Sequence, residues 1–175
     1  MSDVEEKTRW LILIYHLPRE PSRHRVAVWR KLKTLGALYL QDGVVALPED
    51  AVTREQFEWL QLRVREAGGE ATLWEARPDT LAEERKLVEI FRTAREEAYG
   101  AIVAQAERIR RKAELGGSGS LPEELRKLER EFRAERRRDY FRSPMRQDAA
   151  ATLKAAREAV RESGGAGGLD AGSGG

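Results

Sequence analysis

The chain has 175 residues, of which 41% are hydrophobic, which is enough for one compact domain with an appendage rather than two full domains. Its 32 basic and 30 acidic side chains nearly cancel to a net charge of +2, so the distribution of charge matters more than the total. The absence of cysteine excludes disulfides, thiolate metal sites and a cysteine nucleophile. Because there are only two histidines, we expect no metal, and because the chain has no recognisable flavin or nicotinamide phosphate loop, we expect no cofactor.

The chain begins with a polar, acidic segment, MSDVEEKTRW, which does not have the basic start and long apolar stretch of a secretory signal. The apolar run from Trp10 to Tyr15 is too short to span a bilayer. We therefore expect a cytoplasmic protein with no membrane partner.

The first two predicted elements are a strand and a helix. The run Trp10–Leu17 is continuously apolar and closed by Pro18, which is typical of a central strand buried on both faces. A helix is predicted over Ser22–Leu35, because Pro21 is a start signal and Gly36 is a stop signal.

A hairpin follows the helix. Two short apolar strands are predicted over Ala37–Gln41 and Val44–Leu47. Between them stands Asp42-Gly43, a pair that tolerates the positive φ of a two-residue hairpin turn. This is the strongest local prediction in the chain.

A second helix and a last strand complete the first part of the chain. Thr53 with Gln56 has the pattern of a capping box, and Gly68-Gly69 ends the helix that follows it. A strand is predicted over Glu70–Ala76. The order β-α-β-β-α-β predicts an α+β fold of the ferredoxin-like type, a four-stranded antiparallel sheet with two helices on one face.

Beyond Pro78 the pattern changes to long helices. Thr80 with Glu83 forms another capping box, and the GGSGS turn at residues 116–120 predicts an αα-hairpin. A third helix is expected after Ser143-Pro144. The predicted divisions are a ferredoxin-like domain over 1–78, an extended helical hairpin or bundle over 79–162, and a disordered Gly-rich tail over 163–175.

The first helix and the loop before it are strongly basic, with six cations against one acid, Glu20. At 100° per residue, Arg23 and Arg30 share a face that points away from the core, with Lys31 near its edge. Phosphate contact is the functional interpretation, because neutralised phosphates release counterions; a solvated helix face is the plain alternative. The predicted DNA-contacting residues are Arg19, Arg23, Arg30, Lys31 and Lys33.

Arg25 and His24 do not follow this stripe. On the helical wheel Arg25 lies beside Trp29 and Leu32 on the apolar face, where a buried guanidinium needs a partner. We therefore expect Arg25 to pair structurally, with a carboxylate or with the Trp29 ring. The alternative is an anion site at the helix start, formed by Arg23, Arg25 and His24. His24 fits equally well as a hydrogen-bond donor to an anion or as an exposed helix residue.

The other histidine and three of the tryptophans are expected in apolar surroundings. His16 lies on the predicted central strand, so we expect a satisfied core histidine rather than a ligand. Trp10, Trp59 and Trp74 occupy positions in the apolar pattern and have no catalytic group beside them, which indicates core or interface residues.

A second basic cluster lies between residues 133 and 146, where arginines are interleaved with Tyr140 and Phe141. Arginines with aromatic rings are typical of a stacking platform for nucleic acid. A solvated helix end fits equally well, because Glu131, Glu135 and Asp139 offset part of the charge.

Two segments of the sequence resemble a known protein family. The segment YHLPREPSRHRVAVWRKLKTLGALYLQDGVVALP (residues 15–48), extended by AEERKLVEIFRTAREEAYGAI (residues 82–102), is similar to the N-terminal region of the ChrB chromate-resistance regulators. The resemblance covers residues 8 to 115 well and the later region only in helical character. It implies a bacterial DNA-binding repressor of a chromate-efflux operon that chromate releases. Longer members carry a second domain, so effector sensing assigned to that domain does not transfer to this chain.

The function predicted from residues and resemblance together is a transcriptional regulator, not an enzyme, with operator DNA as partner and chromate as a candidate effector. We also expect a homodimer, because operator binders are commonly two-fold symmetric and because one hairpin leaves long apolar stripes to cover. One alternative is a chromate- or sulfate-binding oxyanion sensor at Arg23, Arg25 and His24. The other is a nuclease like those of CRISPR adaptation, which the fold also resembles. It is disfavoured because Tyr15-His16-Leu17-Pro18 holds no Asp at the strand end. No helix-turn-helix pattern precedes the first strand.

Overall fold

The computed structural model describes residues 8–117 and 119–166, and nine helices and strands lie in these ranges. The chain divides into two compact units, the first ending at Ile90 and the second beginning at Phe91. The elements in chain order are β1 (Trp10–His16), α1 (Ser22–Leu35), β2 (Leu38–Gln41), β3 (Val44–Pro48), α2 (Ala51–Glu66), β4 (Glu70–Ala76), α3 (Leu81–Glu114), α4 (Leu121–Arg137) and α5 (Met145–Ala166).

The first unit contains one four-stranded sheet in the order β2-β3-β1-β4, and every neighbouring pair is antiparallel. This order, with a helix after β1 and another after β3, is the ferredoxin-like arrangement, so the predicted fold class is confirmed. Helix α2 packs on β1 and β4, and α1 packs beside α2.

The core of this unit is formed by one face of the sheet and the two helices. Leu13 pairs with Val45 and Leu11 with Leu47, and cross-strand partners point to the same face. All four are fully buried, as is Leu32 of α1. Aliphatic side chains of this kind contribute roughly 1.5–3 kcal/mol each when removed from water. The remaining buried members are Leu17, Val28, Phe57, Leu60, Val64 and Ala71.

The opposite face of the sheet is only partly covered, which corrects the expectation that β1 is buried on both faces. Trp10, at the start of β1, is 1% exposed, and this tryptophan is a core residue as expected. Ile14, four residues later on the same face, is 43% exposed, and Trp74 on β4 is 57% exposed. The apolar run therefore reflects double-sided burial only in its first half.

The first helix and the hairpin begin and end at the residues that local rules predict. Helix α1 starts after Pro21 and ends at Gly36, whose φ of 67° is left-handed. Gly43 in the hairpin turn has a φ of 72°, and its carbonyl accepts a hydrogen bond of 2.8 Å from the Tyr15 N–H. The hairpin is thereby fastened to the end of β1.

One of the two predicted capping boxes is wrong. Helix α2 is capped by Asp50, not by Thr53: the Thr53 N–H donates to Asp50 Oδ1 at 2.7 Å, and the Asp50 N–H donates to Thr53 Oγ1 at 2.9 Å. The helix starts earlier because Asp50 offers its carboxylate first. The box of Thr80 with Glu83 at the start of α3 is confirmed.

The second unit is built from the later part of α3 with α4 and α5. Helix α4 runs back along α3, as the contacts of Tyr99 with Phe132 and of Arg108 with Glu124 show. The apolar stripes of the three helices bury one another, so they need no second copy to cover them. This removes one of the two arguments for a dimer. The buried residues are Tyr99, Ile102, Ala106, Ile109, Ala113, Leu121, Leu125, Leu128, Ala149, Leu153 and Ala156.

Two boundaries differ from the predicted ones. The division between units lies inside α3, at Ile90 and Phe91, rather than at residue 78. Helix α5 continues to Ala166, so residues 163–166 of the predicted tail are helical, while 167–175 lie outside the described residues. Among the described helices, none is long and apolar enough to cross a membrane.

The close approach of the hairpin to β1 can be tested at Gly43. A Cβ at this position would lie 2.5 Å from the Tyr15 carbonyl oxygen, whereas a Cβ at Gly68, which also has positive φ, meets nothing within 4 Å. Gly43→Ala should therefore lower the free energy of unfolding by at least about 2 kcal/mol, and Gly68→Ala by only about 1 kcal/mol. Urea denaturation measures both. Equal losses would contradict the close approach.

Candidate functional site

Helix α1 is attached to the core through two residues. Of its fourteen residues only Val28 and Leu32, one helical turn apart, are buried. The other three sides of the helix are open to different surroundings: an outer face, a side toward α2, and a side toward the β2–β3 hairpin. Its sequence, SRHRVAVWRKLKTL, contains five cations and no acid, so all three sides carry positive charge.

The outer face of α1 carries Arg23 and Arg30, with Ala27 between them, and all three are exposed. Within the parts of the chain that the structure describes, neither arginine forms an ion pair. Two other arginines of this unit behave differently: Arg54 pairs with Glu49 at 2.7 Å and Arg63 with Glu66 at 3.1 Å. The outer face is therefore a basic surface that acidic neighbours do not neutralise.

The side toward α2 is organised around Trp59. Lys31 Nζ lies 5.4 Å from the centroid of the Trp59 ring, and the Arg63 guanidinium carbon lies 5.6 Å from it. His24 lines a small groove beside these residues, together with Ala27. The two cations hold positive charge over the ring, which is worth roughly 0.5–1 kcal/mol for each contact at an exposed site.

The side toward the hairpin faces a cleft of about 710 Å³, which we call the β1–α1 cleft. Its floor is the end of β1 and the loop after it, one wall is α1, and the other is the β2–β3 hairpin. The residues that line it are Tyr15, His16, Leu17, Arg19, Ser22, Arg25, Val26, Trp29, Tyr39, Asp42 and Gly43.

The polar groups of the β1–α1 cleft are arranged around two phenols. The hydroxyls of Tyr15 and Tyr39 lie 3.4 Å apart. Burial raises the pKa of Tyr15, and the hydrogen bond to Tyr39 raises it further, while the positive charge of Arg25 acts in the opposite direction. Tyr15 is thus a neutral hydrogen-bonding group at physiological pH.

Several side chains expected in the core are at the surface. Arg25 is exposed on the cleft and is not buried with a partner, and Trp29 beside it is 49% exposed. His16 is also exposed, because it is the last residue of β1 and lies at the cleft. Trp59 and Trp74, at 48% and 57% exposed, are not core residues, so only the interface alternative of that prediction remains for them. Arg25 and Trp29 are exposed because the core contact of α1 is narrower than the apolar stripe on its helical wheel.

The aromatic residues of the second basic cluster pack against another ring of the helical unit. Tyr140 and Phe141 pack edge-on against the buried ring of Phe91, with centroid distances of 6.0 Å and 5.7 Å. Arg138 is paired with Glu135. These contacts make the two rings part of the packing of the helical unit, which disfavours a stacking platform there. The remaining arginines of the cluster stay at the surface, with Arg133, Arg136, Arg137 and Arg142 exposed.

The structure separates the residues predicted for phosphate and anion binding. Arg19 and Arg25 meet in the cleft, whereas Arg23 and His24 lie on the other two sides of α1. The residues that sequence reasoning missed are Tyr15 and Tyr39 in the cleft, and Arg63 beside Trp59. No periodicity could have revealed these sites, because Tyr15 meets Tyr39 across two strands, and the Trp59 ring beside Arg63 meets Lys31 from another helix.

A comparison with known protein families identifies one family to which the chain is related. The family described as Protein ChrB, N-terminal, matches residues 25–164 of the chain, which is well over half of its length. The chain belongs to this family. The match to the ChrB N-terminal family extends through α4 and most of α5, beyond residue 115 where the sequence resemblance weakened. It begins at Arg25, so β1, Arg19, Arg23 and His24 precede the matched range.

One curated relative illustrates how much of a longer protein is covered. Protein ChrB of Cupriavidus metallidurans is 45% identical over 42 residues, which are 24% of this chain and 13% of that protein. The chain thus matches far less than two thirds of this relative. No solved structure matches the chain.

The raised pKa of the half-buried Tyr15 gives a pH-dependent prediction. Because the pKa of Tyr15 is raised in the folded state, its contribution to stability is complete below pH of about 10, its ordinary pKa, and is lost as the pH rises further. Tyr15→Phe should therefore show a shallower loss of stability above that pH. Tyr39→Phe should keep most of the pH dependence, since burial is the larger cause. Denaturation at stepped alkaline pH tests this, and identical slopes for wild type and Tyr15→Phe would refute it.

Proposed function

We propose that this chain is a DNA-binding transcriptional regulator, a repressor of a chromate-resistance operon, and that α1 is its phosphate-contacting element. The family relationship supports the regulatory role, since the resemblance to ChrB implies control of a chromate-efflux operon. The chain matches only 13% of the curated relative, so operator DNA and chromate as effector are proposals for this chain.

The observation that carries the DNA-binding proposal is the acid-free helix α1. Five cations stand in fourteen residues, and the outer pair, Arg23 and Arg30, is exposed without an ion pair among the described residues. Seven positions apart, they lie about 10 Å from each other along the helix. Each phosphate that such a side chain neutralises releases counterions from the DNA, which favours binding.

The flanking cations extend this surface. Lys31 lies toward α2 and Lys33 toward Trp29, while Arg19 stands in the loop before the helix. Phosphate contacts fix a protein on the duplex without selecting a sequence. We therefore assign these residues to affinity and orientation on operator DNA, and not to base recognition.

We propose no catalytic role. The strand end at which the CRISPR-adaptation nucleases place an Asp carries Tyr15 and His16 here, and neither supplies a carboxylate for a divalent cation. Within residues 8–117 and 119–166, no three His, Asp or Glu side chains are grouped so that they could hold a metal ion. The nuclease alternative therefore has no support from the described residues.

The oxyanion-sensor alternative is not favoured by geometry. Arg23, His24 and Arg25 point to three different sides of α1, so a single small anion does not contact all three. Calorimetry with chromate and with sulfate tests this alternative on the chain itself, and heat with neither would contradict it. A cytoplasmic homodimer stays part of the proposal, supported by the usual two-fold symmetry of operator binders.

Reversing the two outer charges should strongly weaken the binding of DNA. The double variant Arg23→Glu, Arg30→Glu should lose at least about a hundredfold in affinity for duplex DNA from upstream of its own operon, because two phosphate contacts become repulsive. Its melting temperature should stay nearly unchanged, since both side chains are exposed. Fluorescence anisotropy and differential scanning calorimetry measure the two quantities.

A matched control carries the same change of net charge elsewhere. Arg92→Glu with Arg161→Glu alters two exposed arginines of α3 and α5 and should bind DNA like the wild type.

The salt dependence of binding gives a second test. In the double variant Arg23→Gln, Arg30→Gln, the slope of log affinity against log salt should become shallower by about 2. Unaltered binding by the α1 variants would remove α1 from the interface.

A further inference from the structure

The β1–α1 cleft is a second feature of the sheet unit, distinct from the outer face of α1. Its volume is about 710 Å³. Pockets for small organic ligands measure roughly 300–1,000 Å³, and an inorganic oxyanion needs only a small part of such a space. The cleft is therefore large enough for an organic molecule that carries an anionic group.

The charge of the β1–α1 cleft favours that anionic group. Arg19 and Arg25 line it, and Asp42 is the single acid among its lining residues. In the described ranges neither arginine is engaged in an ion pair. A guanidinium group presents two parallel N–H donors that match the oxygens of a phosphate.

The walls of the cleft add aromatic surface. Trp29 comes from α1 and Tyr39 from β2, and they are 49% and 40% exposed. Lys33 Nζ lies 5.0 Å from the centroid of the Trp29 ring. Exposed rings beside cations form the combination on which nucleic-acid bases stack, because the ring covers the base while the cations hold the phosphate.

Hydroxyl groups complete the lining. The phenols of Tyr15 and Tyr39 are 3.4 Å apart, and Ser22 stands at the start of α1. A hydroxyl both donates and accepts hydrogen bonds, so this group suits the edge of a base or the hydroxyls of a sugar. Because burial raises the pKa of Tyr15, its phenol adds no negative charge that would repel a phosphate.

We propose that the β1–α1 cleft binds a nucleotide, with the phosphate on Arg19 and Arg25 and the base against the Trp29 ring. A nucleotide combines the two chemistries that line the cleft. An inorganic anion leaves the aromatic wall uncovered, and an uncharged aromatic molecule leaves both arginines without a partner. The proposal goes beyond the function assigned above, because the β1–α1 cleft lies on a different side of α1 from Arg23 and Arg30, although Arg19 serves both surfaces. The nucleotide is either a free mononucleotide or an unpaired nucleotide of a DNA strand.

Isothermal titration calorimetry on the full chain tests the chemistry with three probes: adenosine monophosphate, adenosine and inorganic phosphate. Adenosine monophosphate should bind at least about tenfold more tightly than either part alone, since it uses both the charge and the ring. Arg25→Gln should weaken its binding at least about tenfold while leaving that of adenosine unchanged. Trp29→Leu should weaken the binding of both adenosine and adenosine monophosphate.

The matched control is Arg23→Gln, two residues away on the outer face of the same helix. It does not line the cleft, and it should bind adenosine monophosphate like the wild type. The same variant should weaken duplex DNA binding, so the two proposals fail separately. Far-ultraviolet circular dichroism and thermal melting verify that each variant is folded, which is expected because Arg23, Arg25 and Trp29 are exposed.

A single-stranded tetranucleotide of deoxyadenosine distinguishes the two sources. Tighter binding than adenosine monophosphate, lost in Arg25→Gln, supports a strand nucleotide; equal or weaker binding supports a free mononucleotide. Three results would overturn the proposal. They are the absence of heat with both adenosine monophosphate and the tetranucleotide, equal affinity of Arg25→Gln and wild type for adenosine monophosphate, and binding of phosphate as tight as that of adenosine monophosphate. The last would define an oxyanion site without a place for a base.

Discussion

The narrow attachment of α1 to the core determines what the rest of this unit can do. Val28 and Leu32 are one helical turn apart, and they are the buried residues of a fourteen-residue helix. Together they contribute roughly 3–6 kcal/mol of apolar burial, which holds the helix without requiring a wide apolar stripe. Five cations therefore fit on one helix without any of them entering the core. A wider contact would have forced Arg25 to find a buried carboxylate.

Concentrating five like charges on a helix without acids is unfavourable in itself, because Arg30 and Lys33, three positions apart, repel by roughly a few tenths of a kcal/mol and the other cations add weaker repulsion at longer range. The structure reduces this repulsion by distributing the charges. Lys31 turns to Trp59 and Lys33 to Trp29, where the ring faces offset part of the charge. Arg23 and Arg30 remain on the outer face without such an offset. A partner that supplies negative charge relieves the remaining repulsion, which is the physical basis for assigning DNA to that face.

Local chemistry made most of the fold predictable, and distant contacts account for the errors. Pro21, Gly36 and the Asp42-Gly43 turn fix the ends of α1 and the hairpin through backbone preferences alone. The surroundings of Arg25 depend on how far the sheet extends under α1, which a helical wheel does not contain. The pairing of Tyr15 with Tyr39 spans 24 positions and exists only because the hairpin closes on β1. For that reason the cleft could not be predicted from the sequence: its residues come from separate elements that only the folded chain brings together.

The two proposed sites on α1 share one source of positive charge, and this determines the sign of any coupling between them. Arg25 in the cleft and Arg23 on the outer face are about 3 Å apart along the helix axis, but they point to different sides of the helix, so salt screens the interaction between the two sites. A phosphate in the cleft would lower the positive potential at the outer face. Occupancy of one site would therefore weaken the other, and linkage requires the effect to be reciprocal. Charge alone therefore couples the two sites negatively and only weakly, which is why Arg23→Gln serves as a control for the cleft.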